Sequence, residues 1–121
     1  MKFTEEFNPD RFFINAHTDD SISVNGDVYR NSLIILPEEI IPDWEVNKFA
    51  QIELDKLDAI NPNEVDVILL STGKVHHMPD MRIMAHYLEQ GTGCEVMSTS
   101  AACRTYNLLM SEDRRVAGCF I

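Results

Sequence analysis

Basic residues, cysteines and long apolar runs are all scarce in this 121-residue chain, and each shortage argues against a class of protein. Lysine and arginine together number 10 against 20 aspartate and glutamate residues, which gives a formal net charge of −10. Nucleic-acid affinity comes largely from neutralising phosphates, so this balance argues against DNA or RNA binding. No apolar run approaches the ~20 residues that a membrane span needs, so we expect no direct membrane insertion.

The cysteines and the N-terminus predict a reducing compartment. Cys94, Cys103 and Cys119 are odd in number and show no CxxC spacing, so we expect free thiols. Residues 1–10 are acidic and lack the apolar core of a signal peptide. We therefore expect a cytoplasmic protein that forms one domain over residues 1–121, with residues 1–10 as a flexible N-terminal segment.

The first third of the chain predicts antiparallel strands. Residues 12–17 are predicted to form a short strand, and residues 21–24 alternate polar with apolar side chains, as a half-buried strand does. Asn25-Gly26 is a strong hairpin signal, because both residues tolerate the positive φ of a type I′ turn. The strand around Val28 follows, and the apolar residues 33–36 predict a strand that is buried on both faces.

The remainder alternates predicted helices with strands. One amphipathic helix is predicted between Trp44 and Asn61, and a second from Pro79 to Gly91, with a third that begins among residues 98–100. The second helix is predicted to bury Met81, Met84, Ala85 and Leu88. Strands are predicted at residues 65–70, 94–97 and 116–121. This order predicts an α/β fold of three layers with a mixed central sheet, in which an antiparallel meander precedes βαβαβ-type units.

Two hydroxyl-rich loops follow predicted parallel strands, where open α/β sheets bind ligands. They are Ser71-Thr72-Gly73-Lys74 and Ser98-Thr99-Ser100, and the second begins a helix whose free N–H groups favour an anion. Alternatively, the hydroxyls only cap the helix and close the turn. The first loop is not a nucleotide-binding P-loop, because it lacks the earlier glycine of that motif and Val75 replaces its hydroxyl residue.

Cys103, Arg104 and Asn107 share one face of the third predicted helix. This polar patch is either a recognition face or a place where the asparagine ties the helix to a neighbouring loop. Cys103 is either a thiol activated by the helix N-terminus and Arg104 or a small buried apolar residue. His76 and His77 lack the i, i+4 spacing of a helical metal site, so we expect no metal and no cofactor.

A C-terminal motif carries a family resemblance. Residues 99–109 combine a threonine and small residues with Thr105-Tyr106-Asn107-x-Leu109, and Glu112, Arg114 and Val116 follow. With Ser71-Thr72-Gly73 before Pro79, and Trp44 before the first predicted helix, the chain resembles the domain of unknown function 498 family. It departs from the pattern at Ser71, where the loop often has a glycine. The resemblance implies a three-layer fold and no agreed catalytic residues.

Two hypotheses about function follow. A eukaryotic member of that family is an assembly factor for mitochondrial respiratory complex I, so the resemblance implies a non-enzymatic domain that binds an unknown protein partner. The alternative is a small-molecule or anion site at the strand ends, either purely binding or enzymatic, with Cys103 or the two adjacent histidines as chemical groups. A role in homo-oligomerisation is a third option. The candidate binding residues are Ser71, Thr72, Gly73, Lys74, Ser98, Thr99, Cys103, Arg104 and Asn107.

Overall fold

The computed structural model describes residues 11–74, 78 and 80–121. Within these residues, three short strands form a small antiparallel sheet in the order β1-β2-β3. The strands are β1 (Ile14–His17), β2 (Ile22–Val24) and β3 (Asp27–Tyr29). Asn25 and Gly26 join the last two with φ angles of 50° and 92°, as a type I′ turn requires.

A mixed sheet forms the centre of the fold. Its strands are β4 (Leu33–Ile35), β5 (Ile40–Ile41), β6 (Val67–Ser71), β7 (Gly93–Met97) and β8 (Val116–Phe120), in the spatial order β5-β4-β8-β6-β7. Strand β6 is parallel to β7 and β8, and β4 is antiparallel to β8. The predicted α/β class with a mixed sheet is confirmed, although the meander β1–β3 forms a sheet of its own.

Two helices cover opposite faces of the central sheet. Helix α1 (Met81–Leu88) packs Ile83 and Tyr87 with the segment 44–65 against one face. Helix α2 (Thr99–Ser111) packs against the other face together with the small sheet. Residues that alternate along a strand therefore enter different cores, which explains why the central strands are continuous apolar runs.

The helix predicted between Trp44 and Asn61 was wrong. The segment instead contains separate 3₁₀ turns at Phe49–Gln51 and Leu54–Leu57, and a third follows it at Pro62–Glu64. Trp44 at the start of the segment is buried, and its indole Nε1 donates to the Lys56 carbonyl oxygen at 2.9 Å. Burial of single residues along the segment, namely Trp44, Val46, Ile52, Leu57 and Ile60, therefore overrides its local helical pattern.

The predicted inward face of the second helix was wrong for three of its four residues, while Met84 is partly buried against the core. Met81 and Leu88 are 68% and 71% exposed, and Ala85 is exposed as well, whereas Ile83 and Tyr87 are buried. The apolar arc of α1 is wider than the part of the helix that the sheet covers. One edge of this arc therefore faces solvent.

Gly118 is the tightest point of the central sheet. A Cβ atom there would lie 2.6 Å from Phe120 Cε2 and 3.3 Å from Tyr106 Cδ1. The Tyr106 and Phe120 rings meet edge to face with centroids 6.4 Å apart, and both side chains are fully buried. The missing side chain at Gly118 thus makes room for the aromatic pair between β8 and α2.

We predict that Gly118→Ala destabilises the fold by about 1–3 kcal/mol, because the added methyl group overpacks this core. Gly93→Ala is the matched control, since its Cβ would have no neighbour closer than 3.8 Å. That variant should keep or slightly raise the free energy of unfolding. Urea unfolding of both variants measures the difference, and equal stability of the two would contradict the overpacking argument.

Candidate functional site

A cleft of about 500 Å³ opens where the parallel strands end. One wall holds Gly73 and Lys74 after β6, and Ser98, Thr99 and Ser100 at the start of α2. The opposite wall comes from the small sheet and from the connection between this sheet and β4, with residues 17–22 and 29–33. We call this feature the strand-end cleft. Its volume falls within the ~300–1,000 Å³ that is usual for small-ligand pockets.

Backbone hydrogen bonds hold the two strand-end loops together. The Thr72 N–H donates to the Met97 carbonyl oxygen at 2.9 Å, and the Thr99 N–H donates to the Gly73 carbonyl oxygen at 2.9 Å. Gly73 has a φ of +80°, a conformation that favours glycine. The loop after β6 is therefore bound directly to the first turn of α2.

The hydroxyl groups of this region serve different purposes. Ser98 caps α2, because its Oγ accepts from the Ala101 N–H at 3.4 Å, and the buried Ser71 Oγ accepts from the Ile121 N–H at 3.0 Å. The Oγ1 atoms of Thr72 and Thr99 are buried and have no hydrogen-bond partner among the described residues. Ser71 and Ser98 of the predicted hydroxyl set thus stabilise the fold itself.

The charges around the strand-end cleft are mixed in sign. Lys74 Nζ lies 3.2 Å from Asp19 Oδ2, and this exposed ion pair links the two walls. Arg30 and Asp20 also line the cleft. Arg104 lies one helical turn beyond Ser100 and donates to its Oγ at 2.9 Å. The surface therefore presents exposed groups that can form ion pairs and hydrogen bonds with a partner of either charge.

Cys103 is buried on the inner side of α2, where it is only 3% exposed. Burial raises the pKa of its thiol to about 11, although the charge of Arg104 acts in the opposite direction. The thiol is therefore protonated at neutral pH, which makes it a poor nucleophile. Burial also raises the pKa of the Cys94 thiol to about 11 and that of the Cys119 thiol further.

Asn107 joins α2 to the small sheet. Its Nδ2 donates to the Ile14 carbonyl oxygen at 2.8 Å, and its Oδ1 accepts from the Ile14 N–H at 3.0 Å. The neighbouring Tyr106 hydroxyl donates to the Phe12 carbonyl oxygen at 3.1 Å. These bonds position β1, and through it the second wall of the cleft.

The structure thus brings together only part of the predicted site. Gly73, Lys74, Ser98 and Thr99 line the strand-end cleft, with Arg104 beside them. Ser71 and Thr72 lie buried behind the loop, and Cys103 and Asn107 face the core and β1. His76 and His77 lie outside the described residues.

Sequence reasoning missed the wall that the small sheet supplies. Asp19, Arg30 and Asn31 line the cleft but precede the strand ends by many residues in the chain. No local pattern connects them to those ends. Among the described residues, no three His, Cys, Asp or Glu side chains are placed to hold a metal ion. No helix in the same part of the chain is long and apolar enough to cross a membrane.

Comparison with known proteins agrees with this architecture. A family model described as "Protein of unknown function (DUF498/DUF598)" matches residues 14–121. The chain belongs to the DUF498/DUF598 family. The family resemblance seen in the sequence is therefore confirmed. A solution structure from Bordetella pertussis, described as an Mth938-like domain, is 26% identical, covers 100% of this chain and 92% of its own, and has a TM-score of 0.83.

Two relatives carry names that bear on function. NADH dehydrogenase [ubiquinone] 1 alpha subcomplex assembly factor 3 of Xenopus tropicalis is 27% identical over 90% of this chain. This chain spans 60% of the length of that protein. The 13 kDa major membrane protein of Francisella tularensis is also 27% identical, over 95% of this chain and 86% of its own length. The family thus includes assembly factors for complex I.

We predict that Asn107→Ala lowers the free energy of unfolding by about 1–3 kcal/mol, because both backbone groups of Ile14 lose their side-chain partner. Leu108→Ala is the control on the same helix, since Leu108 is 59% exposed. It should change stability by less than about 0.5 kcal/mol. Urea unfolding measures both changes. An Asn107→Ala variant as stable as Leu108→Ala would show that the amide does not hold the small sheet.

Proposed function

We propose that this chain is a non-enzymatic, assembly-factor-like domain that binds a protein subunit. The observation that carries the proposal is the similarity, over 90% of the chain, to a protein named as an assembly factor for NADH dehydrogenase. The protonated, buried Cys103 thiol supports a binding role over nucleophilic chemistry. The formal charge of −10 favours a protein partner over a nucleic acid. We further propose that the domain acts in the cytoplasm.

The strand-end cleft and Arg104 form the proposed recognition surface. Lys74 and Asp19 are each 70% exposed and form one ion pair, which contributes little to stability and is easily exchanged for pairs with a partner. Arg104 is exposed and held toward Ser100 by one hydrogen bond. Exposed arginine is a common anchor of protein interfaces.

A second candidate function is the binding of a small anion in the same cleft. The observation that favours it is the buried Thr99 hydroxyl oxygen, which has no partner among the described residues. Thr99 lines the cleft at the N-terminus of α2, where the helix dipole favours negative charge. Titration with carboxylated and phosphorylated metabolites tests this candidate. It fails if the amide resonances of Gly73, Lys74, Ser98 and Thr99 do not shift.

Native mass spectrometry of the tagged chain, purified gently from its own cells, tests the main proposal. We expect a protein subunit retained at fixed stoichiometry in the wild type. Arg104→Glu should reduce this retention about tenfold or more, because it reverses an anchoring charge. Arg114→Glu, a matched exposed arginine on the turn after α2, is the control and should retain the subunit. A small added mass without any protein would favour the anion site instead.

A further inference from the structure

Strand β7 forms a long edge of the central sheet. It pairs with β6 in an unbroken register from Gly93 to Met97, and among the described residues no strand pairs with its other side. The opposite edge of the sheet is the two-residue strand β5. An edge of five residues exposes a row of backbone groups that can pair with a further strand.

The backbone groups at this edge can be assigned. The Gly93 N–H donates to the Asp66 carbonyl oxygen at 3.1 Å, and the Met97 carbonyl oxygen accepts from the Thr72 N–H. Because backbone groups alternate in direction along a strand, residues 93, 95 and 97 bond toward β6. Cys94 and Val96 therefore direct their N–H and C=O groups to the outer side.

β7 carries few of the devices that usually protect an edge strand. Natural edges carry charged side chains, above all lysine, or proline, a bulge or a very short strand. Residues 93–97 contain neither proline nor lysine, and their register with β6 has no bulge. The single charge is Glu95, which is exposed at the middle of the strand. Within residues 11–74, 78 and 80–121 this edge is therefore open to pairing, and its charge is negative.

The exposed part of α1 is an apolar surface on the helix that packs against β7. Met81, Ala85 and Leu88 recur at i, i+4 and i+7, so they form one exposed stripe on the helix that packs against β7. Cys94 and Val96 belong to the core on the same face of the sheet as α1. Exposed apolar stripes of this kind mark interaction surfaces, and methionine adapts well to varied partners.

Glu95 lies on the other face of the strand, because side chains alternate along β7. A strand added at this edge would thus meet apolar side chains on the α1 side and a carboxylate on the α2 side. The charge of −10 on the whole chain reinforces the preference for a basic partner.

We propose that the outer edge of β7 binds an extended segment of a partner protein in which apolar residues alternate with lysine or arginine. The apolar side chains pack toward α1 and the basic side chains pair with Glu95. The inference rests on the proposed function, because the segment belongs to the subunit that the domain assembles. It also places that segment next to the strand-end cleft, since Ser98 directly follows Met97.

A second copy of the chain fits this edge less well. In an antiparallel pair centred on β7, Glu95 of one copy would lie opposite Glu95 of the other, and like charges at opposed positions are destabilising. Two chains of charge −10 also repel each other.

The test uses a short synthetic peptide in which valine alternates with lysine. We expect NMR shift changes at Cys94, Glu95 and Val96 and at the α1 stripe. Val96→Pro removes one outward N–H without breaking a bond to β6, and it should weaken peptide binding about tenfold or more. Val96→Ala is the matched control, because it loses packing but keeps the N–H, and it should bind within about threefold of the wild type.

Two further comparisons separate strand pairing from general charge attraction. A peptide with the same valines and lysines arranged in two blocks should bind at least about tenfold more weakly than the alternating one. Leu88→Ser should weaken binding, whereas Leu108→Ser on α2 should not. The proposal is overturned if Val96→Pro and Val96→Ala bind the alternating peptide equally, or if shifts occur only away from β7.

The subunit-retention experiment separates this proposal from the proposed function. If the wild type retains a protein subunit and Val96→Pro releases it, both stand. If Val96→Pro retains the subunit as Val96→Ala does, the outer edge of β7 is not the binding site and the assembly role stands. If the wild type retains no protein, the proposed function fails, and with it the partner that this edge was proposed to bind.

Discussion

The two hydrogen bonds between the Asn107 amide and the backbone of Ile14 hold the small sheet to the rest of the molecule. Asn107 lies on α2, which packs on the central sheet, and Ile14 begins β1. Because the strand-end cleft lies between the small sheet and the strand ends, its shape depends on this connection. The Asn107 amide therefore affects the strand-end cleft by fixing the position of the small sheet and not by contacting a ligand.

The centre of the molecule explains why α2 can serve as this anchor. Tyr106, the neighbour of Asn107, packs against Phe120 above the bare backbone of Gly118 and also donates to the Phe12 carbonyl oxygen. One helix thus bonds β1, covers β8 and presents its N-terminus to the cleft. The aromatic packing and the polar contacts to β1 come from adjacent residues, so they should form and break together.

Local chemistry made much of the fold predictable. The Asn25-Gly26 turn and the apolar strands β6 and β8 follow from φ preferences and from burial on two faces. The segment after Trp44 could not be predicted in this way. Tertiary contacts, such as the hydrogen bond from the Trp44 indole to the Lys56 carbonyl oxygen, override its local helical pattern. The exposed stripe of α1 was missed because periodicity shows that a helix has an apolar arc but not how much of it a sheet covers.

The candidate site was predictable only on the side that the strand ends supply. Gly73 and Ser98 could be located because parallel strands end at the same edge of a sheet. The opposite wall depends on a contact between residues 14 and 107, which are separated by 93 positions in the chain. Nothing in the local sequence around Asp19 or Arg30 indicates that contact. Long-range hydrogen bonds of this kind depend on how the helix, the small sheet and the central sheet pack together.

Native-state hydrogen exchange tests most directly whether the strand-end cleft is a fixed feature of the fold. The Ile14 N–H, which donates to Asn107 Oδ1, is compared with the amides of β8 in the unligated protein. We expect the same opening free energy for both, because the small sheet and the central sheet should unfold as one unit. A clearly lower value for Ile14 would show that the small sheet opens independently, which would contradict a preformed cleft.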